Sequence, residues 1–340
     1  MDEETNREIV LAKRPDGVPD EDTFEMRESE IPTPEAGEIL VRTLHLSVDP
    51  YMRGRMRDAD SYAEPWAVGD VMQAGVVGEV VESNGDRWKA GDLVTGNLRW
   101  ADYATTSGHG LTPVDTDLAP PSAYLGVLGM PGRTAYFGLL DAGDPSPGDT
   151  VVVSGAAGAV GSVVVQIAKR AGCSAVGFAG TDEKVDYLED ELGADAGINY
   201  TETDDYREAL DDAAPGGVDV YFDNVGGPIT DAAFARLNVG ARVVVCGQIS
   251  QYNDEETATG PRKLGGLIRS RATVEGILVG DYAQRFEQAS ERLARWVANG
   301  ELSYRETVTE GLENAPEAFL GLFEGENVGK QVVEVADPSE

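Results

Sequence analysis

The residues with the clearest chemistry lie in a glycine-rich turn of the run VVVSGAAGAVGS, which contains Gly155, Gly158 and Gly161. An apolar run predicts a strand over Thr150–Ser154 before the turn. An amphipathic pattern predicts a helix over Val160–Ala171 after it, followed by a second strand over Ser174–Ala179. Glycines let the backbone approach a pyrophosphate, and the N-terminus of the helix offers it unpaired N–H groups. This strand–turn–helix–strand unit predicts a dinucleotide site, with Ala156 where the first glycine of the motif usually stands.

The end of the second strand indicates which dinucleotide binds. A site for NAD places an acidic residue there to bind the ribose 2′-hydroxyl, but this strand is followed by Gly180 and Thr181. Asp182 and Glu183 are typical of the first turn of a helix, and Lys184 follows them. A small residue, a hydroxyl and a lysine suit a 2′-phosphate, so the pattern favours NADP. The alternative is that the lysine is only a solvated helix residue.

Composition excludes several classes of partner. The chain has 340 residues, enough for two domains, and a formal net charge of −34, with lysine much rarer than arginine. Such a surface repels nucleic acids and anionic membranes. An apolar fraction of 41% excludes general disorder. The charge therefore leads us to hypothesise a surface adapted to high salt, in a halophilic cytoplasm.

Potential metal ligands and targeting segments are scarce. The cysteines are Cys173 and Cys246 and the histidines are His45 and His109, which do not form a zinc-binding spacing. The charged start MDEETNREIV is unlike a signal peptide, and no apolar run reaches transmembrane length. These features predict a soluble, cytoplasmic protein without a metal.

The chain divides into three regions. Residues 1–122 alternate short β-like runs with turns, which is typical of a β-rich, barrel-like module. Residues 123–301 alternate six strands with helices, which predicts an α/β domain with a Rossmann doubly wound parallel sheet. Residues 302–340 contain a helix over Glu313–Leu322 and a strand in GKQVVEV, which we expect to return to the first module.

Several runs extend these observations to a family resemblance. They include LSVDPYMRGRM, LGMPGRTAYFGLL, DVYFDNVGG, VCGQISQYN, YRETVTEGLENAPEAFLGL and NVGKQVV. With the β-rich first module they resemble the medium-chain dehydrogenase/reductase superfamily, and within it the branch of prostaglandin, alkenal and curcumin reductases. The resemblance extends from about residue 8 to 335. It implies a GroES-like first module, no zinc, NADPH as cofactor, and reduction of a C=C bond conjugated to an aldehyde or ketone.

The same resemblance implies a set of cofactor-binding residues. They are Gly158, Ala159, Val160, Gly161, Thr181, Lys184, Tyr200, Asn224, Cys246, Gly247, Ile249, Tyr252, Ile277, Leu278, Val279, Asn327, Met130 and Thr134. A cysteine at position 246 is interpreted as a small buried residue and not as a reactive thiol. The branch also implies a homodimer formed through the edge strand of the nucleotide sheet, here Thr273–Val279.

The implied reaction requires few groups from the protein. Hydride from the nicotinamide attacks the β-carbon of an enal or enone, and negative charge develops on the carbonyl oxygen. Catalysis then needs positioning and a hydrogen-bond donor to that oxygen. Tyr252 matches a donor of the branch and Tyr51 matches an aromatic residue of the substrate pocket, while the cofactor ribose hydroxyl is an alternative donor. A tyrosine suits this role because its ordinary pKa is about 10.

Other functions remain open at this stage. A quinone reductase or an allylic alcohol dehydrogenase would use the same cofactor site, and a non-catalytic NADPH-binding protein is an alternative of another class. The acidic segment 254–263 is expected to overhang the substrate. Together with the net charge of −34, it disfavours anionic lipid substrates.

Overall fold

The computed structural model describes residues 5–59 and 61–338. Their contacts divide the chain into two compact units. The first unit comprises Met1–Leu125, Glu306–Asn327 and Gln331–Glu340, and the second unit comprises Gly126–Arg305 and Val328–Lys330. The chain therefore returns to the first unit after Arg305, apart from three residues that rejoin the second.

Both units are built from short strands and helices that follow one another along the chain. The strands are β1 (Thr5–Leu11), β2 (Phe24–Glu30), β3 (Ile39–Ser47), β4 (Gln73–Ser83), β5 (Leu93–Arg99), β6 (Tyr103–Thr106), β7 (Thr112–Pro113), β8 (Thr150–Val153), β9 (Ser174–Ala179), β10 (Ala196–Asn199), β11 (Val218–Asp223), β12 (Leu237–Val245), β13 (Thr273–Gly276), β14 (Glu306–Glu310) and β15 (Lys330–Glu334). The helices are α1 (Met52–Arg55), α2 (Met130–Phe137), α3 (Gly161–Arg170), α4 (Asp182–Asp186), α5 (Tyr206–Ala213), α6 (Gly227–Ala235), α7 (Leu264–Ser270), α8 (Phe286–Ala298) and α9 (Ala315–Glu324). Wider π-helical turns over Gly138–Gly143 and Tyr187–Glu191 continue α2 and α4.

The first unit is built on a seven-stranded sheet. Its order is β14-β15-β3-β4-β5-β7, with β6 also paired to β3, and β1 pairs with β2 in a separate ribbon. The tail strand β15 runs antiparallel to β3, with Val332 opposite Ser47. Trp100 and Phe319 are among the fully buried side chains of this unit's core. Burial of such large apolar surfaces is the main stabilising contribution to a domain of this kind.

The second unit contains a six-stranded sheet with the order β10-β9-β8-β11-β12-β13. Every adjacent pair is parallel. This is the doubly wound Rossmann order, in which the sequence of strands reverses between β8 and β11. The prediction of an α/β fold with a parallel nucleotide sheet beside a β-rich module is therefore confirmed. Apolar side chains such as Val152, Phe178 and Val243 are completely or almost completely buried, as expected of strands covered on both faces.

Several predicted boundaries differ from the structure. Helix α3 begins at Gly161 and ends at Arg170, one residue inside the predicted bounds at each end. The predicted edge strand Thr273–Val279 was too long, because β13 ends at Gly276 and a turn of 3₁₀ helix begins at Val279. Helix α9 was predicted too early. Its first turn, over Leu312–Asn314, is 3₁₀, and the α-helix begins only at Ala315.

Candidate nucleotide and substrate site

The glycine-rich turn joins β8 to α3 at the carboxyl end of the sheet. Gly155 has a positive φ of 59°, a conformation that favours glycine. A Cβ on Gly161 would lie 2.7 Å from the Cα of Ala156 and would overlap the carbonyl oxygen of Gly155. Glycine at position 161 is therefore needed for close packing of helix and strand, which is its role in dinucleotide turns. The geometry fits a pyrophosphate held at the N-terminus of α3.

The predicted pyrophosphate residues lie between the buried part of the turn and the helix. Gly158, Ala159 and Val160 are partly exposed, whereas Ala156 and Ala157 are buried. Backbone groups at 158–160 are therefore accessible to a ligand, whereas Gly161 is buried. Sequence reasoning missed that the chain returns to this turn: the N–H of Gly329 donates to the carbonyl of Ala157 at 2.8 Å, and Gly329 forms a parallel bridge with Gly158. The predicted contact residue Asn327 belongs to the first unit.

The predicted 2′-phosphate residues Thr181, Lys184 and Tyr200 have contacts around the end of β9. The Thr181 hydroxyl accepts a hydrogen bond from the Lys184 N–H at 3.3 Å and so caps α4. The Tyr200 hydroxyl lies 2.6 Å from the position that a Cβ on Gly180 would occupy. Burial lowers the pKa of Lys184 and raises that of Tyr200. A partly desolvated ammonium and a protonated phenol both suit a phosphate, because each can donate a hydrogen bond to it.

The turns after β8 and β11 are held together by reciprocal hydrogen bonds. The Ser154 hydroxyl donates to Asp223 at 2.9 Å and accepts from the N–H of Asn224 at 2.9 Å. The Asn224 side-chain amide donates to the carbonyl of Ser154 at 2.7 Å. The predicted cofactor residue Asn224 is therefore fixed in orientation, directly after β11.

Asp223 is the centre of this arrangement, and sequence reasoning missed it. It is fully buried, and its carboxylate accepts hydrogen bonds from Ser154, Tyr221, Thr230 and the N–H groups of Val225 and Gly226. Its backbone carbonyl also accepts the N–H groups of residues 246 and 247, at 2.8 and 3.0 Å. Asp223 therefore connects the ends of β8, β11 and β12. The sequence does contain a signal for this residue, because Asp223 is a carboxylate at the last position of the otherwise largely apolar strand β11.

Tyr252 follows β12 after a turn of 3₁₀ helix over Ile249–Gln251. Its hydroxyl oxygen accepts the N–H of Gln248 at 3.3 Å and lies 3.0 Å from the position of a Cβ on Gly247. Burial is the main cause that raises its pKa above the ordinary value. The phenol therefore keeps its proton at neutral pH and can donate a hydrogen bond.

Cys246 stands at the start of the same loop. It is a free thiol of intermediate exposure, and burial raises its pKa to about 12. The thiol is therefore protonated at neutral pH, so a nucleophilic role is disfavoured. Ile249, which begins the 3₁₀ turn, is also partly exposed and donates its N–H to the carbonyl of Asn224 at 3.3 Å.

The remaining predicted residues of the second unit lie after β13 and in α2. Ile277 and Leu278 follow the strand, and the N–H of Ile277 still donates to the carbonyl of Val245 at 3.0 Å, which extends the ladder by one bond. Val279 opens the next 3₁₀ turn. In α2 the Thr134 hydroxyl donates to the carbonyl of Met130 at 2.8 Å, and Met130 is 37% exposed.

Tyr51 belongs to the first unit, at the start of α1. It is half-buried against the apolar core of that unit, and burial raises the pKa of its phenol. Nearby, the Ser47 hydroxyl donates to the carboxylate of Asp49 and steadies the turn before it. Tyr51 and Tyr252 are therefore both neutral phenols, each positioned by its own unit.

Metal ligands and membrane spans can be assessed over residues 5–59 and 61–338. Within them no group of three or more His, Cys, Asp or Glu side chains is arranged to hold a metal ion. No helix in these ranges is both long enough and apolar enough to span a bilayer.

Comparison with known proteins identifies the family of each region. Residues 7–114 match the sequence model of the N-terminal domain of oxidoreductases. Residues 159–295 match a model described as zinc-binding dehydrogenase.

The chain has close relatives over almost its entire length. The NADP-dependent oxidoreductase YfmJ of Bacillus subtilis is 55% identical, over 98% of this chain and 99% of its own. NADPH-dependent curcumin reductase of Escherichia coli is 44% identical over 97% of both chains. The NADP-dependent 2-alkenal reductase of Nicotiana tabacum is 42% identical over 98% and 99%, and prostaglandin reductase 1 of Mus musculus is 43% identical over 95% and 97%.

A solved structure is also closely similar. The crystal structure of CurA from Vibrio vulnificus in complex with NADPH has a TM-score of 0.93 and 45% identity, and the match covers 98% of this chain and 100% of CurA. The predicted resemblance is thereby confirmed, as is NADP(H) as the cofactor. The chain belongs to the curcumin, alkenal and prostaglandin reductase branch of the zinc-independent medium-chain dehydrogenases/reductases and is an NADPH-dependent oxidoreductase.

Proposed function

We propose that this enzyme reduces the C=C bond conjugated to an aldehyde or ketone. The observation that carries the proposal is the position of Tyr252, a phenol with a raised pKa on the loop after β12. This loop is tied to the Asn224 turn, because the N–H of Ile249 donates to the carbonyl of Asn224. A neutral donor at the carboxyl end of a nucleotide sheet suits a reaction in which charge develops on a carbonyl oxygen.

The cofactor would be held by three groups of residues. Gly158, Ala159, Val160 and Gly161 would bind the pyrophosphate through the backbone of the turn, and Thr181, Lys184 and Tyr200 would bind the 2′-phosphate. Residues Asn224, Cys246, Gly247, Ile249, Ile277, Leu278, Val279, Met130, Thr134 and Asn327 would line the nicotinamide end. When bound, NADPH supplies the hydride.

The hydroxyl of Tyr252 would donate a hydrogen bond to the substrate carbonyl oxygen. Its raised pKa keeps the proton on the phenol at neutral pH, and the N–H of Gln248 holds its oxygen in place at 3.3 Å. Tyr51 of the first unit would contribute an aromatic surface for the substrate. Its burial and raised pKa suit contact with an apolar substrate.

Charge and exposure bear on the substrate and on assembly. The acidic segment after Tyr252 is exposed from residue 255 to 262, which favours neutral substrates over anionic lipids. Strand β13 closes the sheet with every residue exposed, and Ile268 of α7, the helix that precedes β13 in the chain, is 83% exposed. An open strand edge with apolar neighbours favours pairing with another strand. We infer a homodimer through this edge, and sedimentation of Ile268→Glu as a monomer would support it.

The test compares Tyr252→Phe with wild type on a trans-2-alkenal, a quinone and a simple aldehyde. For the alkenal we expect kcat/KM to fall by about ten- to hundredfold, in the range found when one oxyanion donor is removed. NADPH affinity should change little. Tyr124→Phe, which removes a hydroxyl that bonds to the backbone of Asp115 in the first unit, serves as the control.

Three outcomes oppose parts of this proposal. Wild-type turnover in Tyr252→Phe would remove that residue from the reaction. Faster NADPH consumption with the quinone or the simple aldehyde than with the alkenal would favour another oxidoreductase activity. NADPH binding without turnover of any activated alkene would indicate a non-catalytic protein.

A further inference from the structure

We propose that Asn199 sets the nucleotide preference by restraining the carboxylate of Asp182 in a hydrogen bond, so that it does not turn toward the proposed 2′-phosphate site. The side-chain amide of Asn199, the last residue of β10, donates to Asp182 Oδ1 at 2.7 Å. Asp182 is the first carboxylate after β9 and the first residue of α4. This inference rests on the proposed binding of the 2′-phosphate at Thr181, Lys184 and Tyr200.

An unrestrained Asp182 would oppose NADPH. A carboxylate close to the end of the second strand accepts the ribose 2′-hydroxyl of NAD and repels a 2′-phosphate. Asp182 is exposed and lies between Thr181, which caps α4, and Lys184. Rotation of its side chain could therefore bring a negative charge toward the phosphate site. The sequence alone does not show why this acidic residue is compatible with NADP.

Asn199 is itself held in one orientation. Its Oδ1 accepts the N–H of Thr201 at 3.0 Å, and the Thr201 hydroxyl lies 2.8 Å from the same oxygen. Reversal of the amide would place its NH₂ group against the N–H of Thr201 and lose this hydrogen bond. The carbonyl of Asn199 also accepts from the Thr203 hydroxyl at 2.7 Å. These contacts direct the amide hydrogens toward Asp182.

The restraint lies directly beside the proposed phosphate ligands. Tyr200 follows Asn199, and its hydroxyl is the group nearest to an added Cβ on Gly180. The Thr201 hydroxyl is also 3.1 Å from the carbonyl of Gly180. Asn199 therefore connects the turn after β10 to the first turn of α4, next to the proposed phosphate ligand Tyr200.

The test is a double-mutant cycle on Asn199→Ala and Asp182→Ala, with Kd for NADPH and NADH measured by calorimetric titration, and kcat and KM measured for each. For Asn199→Ala we expect about five- to tenfold weaker NADPH binding, from one carboxylate near a phosphate dianion in water. NADH binding and kcat should change little. The double variant should recover NADPH binding, because the carboxylate is then absent. The loss in Asn199→Ala should also shrink in molar KCl, which screens surface charges.

A matched control exists in the same unit. The amide of Asn238 donates to Asp219 Oδ1 at 2.8 Å. Both residues lie at the amino ends of their strands, β12 and β11, which is the end of the sheet opposite to the nucleotide turn. Asn238→Ala removes the same kind of pair and should leave both nucleotides bound as in wild type. A selective loss of NADPH binding in this control would overturn the inference.

Further results would overturn the inference and separate it from the proposed site. If the double variant binds NADPH as weakly as Asn199→Ala, Asn199 acts on the loop and not through Asp182. Lys184→Ala tests the site itself, since it should weaken NADPH binding and spare NADH. Equal losses of both nucleotides in Lys184→Ala would overturn the phosphate site and the inference together. A selective loss there with no effect of Asn199→Ala would overturn the inference alone.

Discussion

Replacing Asp223 by alanine should destabilise the second unit strongly, because several buried donors share this one acceptor. Tyr221 and Thr230 would retain each other at 2.9 Å. The hydroxyl of Ser154 and the N–H groups of Val225 and Gly226 would lose their shared acceptor. At about 1–3 kcal/mol for each unsatisfied buried donor, with some rescue by water, we expect a loss of about 3–5 kcal/mol. This is a large part of the 5–15 kcal/mol roughly typical of a folded domain.

The conservative variant separates hydrogen bonding from charge. Asp223→Asn keeps one acceptor oxygen at Oδ1, so we expect a loss of about 1–2 kcal/mol, the difference between charged and neutral hydrogen bonds. Urea unfolding followed by circular dichroism, in molar KCl, measures both losses. Asp219→Asn is the matched control, because Asp219 accepts from Thr150 and Asn238 at the other end of the sheet, where no donor cluster depends on it.

Catalytic measurements add a second observable for Asp223. Because its backbone holds residues 246 and 247 and its side chain holds Ser154, the asparagine variant should raise KM for NADPH while the far-ultraviolet spectrum stays native. A loss below about 1 kcal/mol for Asp223→Ala would refute the reasoning, since it would mean that water satisfies the released donors at little cost. Equal losses in the alanine and asparagine variants would likewise show that the acceptor count is irrelevant.

Four further results are expected. Gly180→Ala should weaken NADPH binding more than NADH binding, because the added Cβ would lie 2.6 Å from the Tyr200 hydroxyl and push it aside; equal changes in the two Kd values would contradict this. Gly161→Ala should abolish binding of both nucleotides through the clash with Ala156, as titration would show. As pH rises, affinity for NADPH but not NADH should begin to fall below pH 10.5, because burial lowers the pKa of Lys184 and the neutral amine cannot pair with phosphate; a flat profile up to that pH is the opposing result. The melting temperature should rise with KCl, since the chain carries a net charge of −34; equal stability in dilute buffer would sink the halophilic hypothesis.

The nucleotide sheet could be predicted from the sequence because its signals are local. A buried strand, a glycine turn and an amphipathic helix occupy adjacent residues around Gly155 and Gly161, and the parallel order follows from the alternation of strands and helices. The end of β13 was misjudged because Ile277 and Leu278 are apolar and continue the pattern of the strand. Apolar type does not report where ladder hydrogen bonding stops.

The contacts that fix the candidate site could not be predicted in the same way. Asp223 and Asn199 have the residue types of ordinary turns, and their importance depends on partners that are distant in sequence, Ser154 at 69 positions and Asp182 at 17. Such partners become neighbours only through the order of the sheet. The roles of Tyr200 and Tyr252 are implied by the family resemblance, whereas that of Lys184 also follows from its position after the second strand.

The bridge between Gly158 and Gly329 has a consequence for the order of folding. The cofactor turn is completed by residues 328–330, where Gly329 has a positive φ of 69° and a Cβ would overlap the carbonyl of Arg305. During synthesis, strands β8 to β13 can assemble while this position is still untranslated. A nascent chain released before residue 328 would therefore have a nearly complete nucleotide sheet with an unfinished turn. Binding of NADPH should thus mark the last stage of maturation, later than the acquisition of secondary structure.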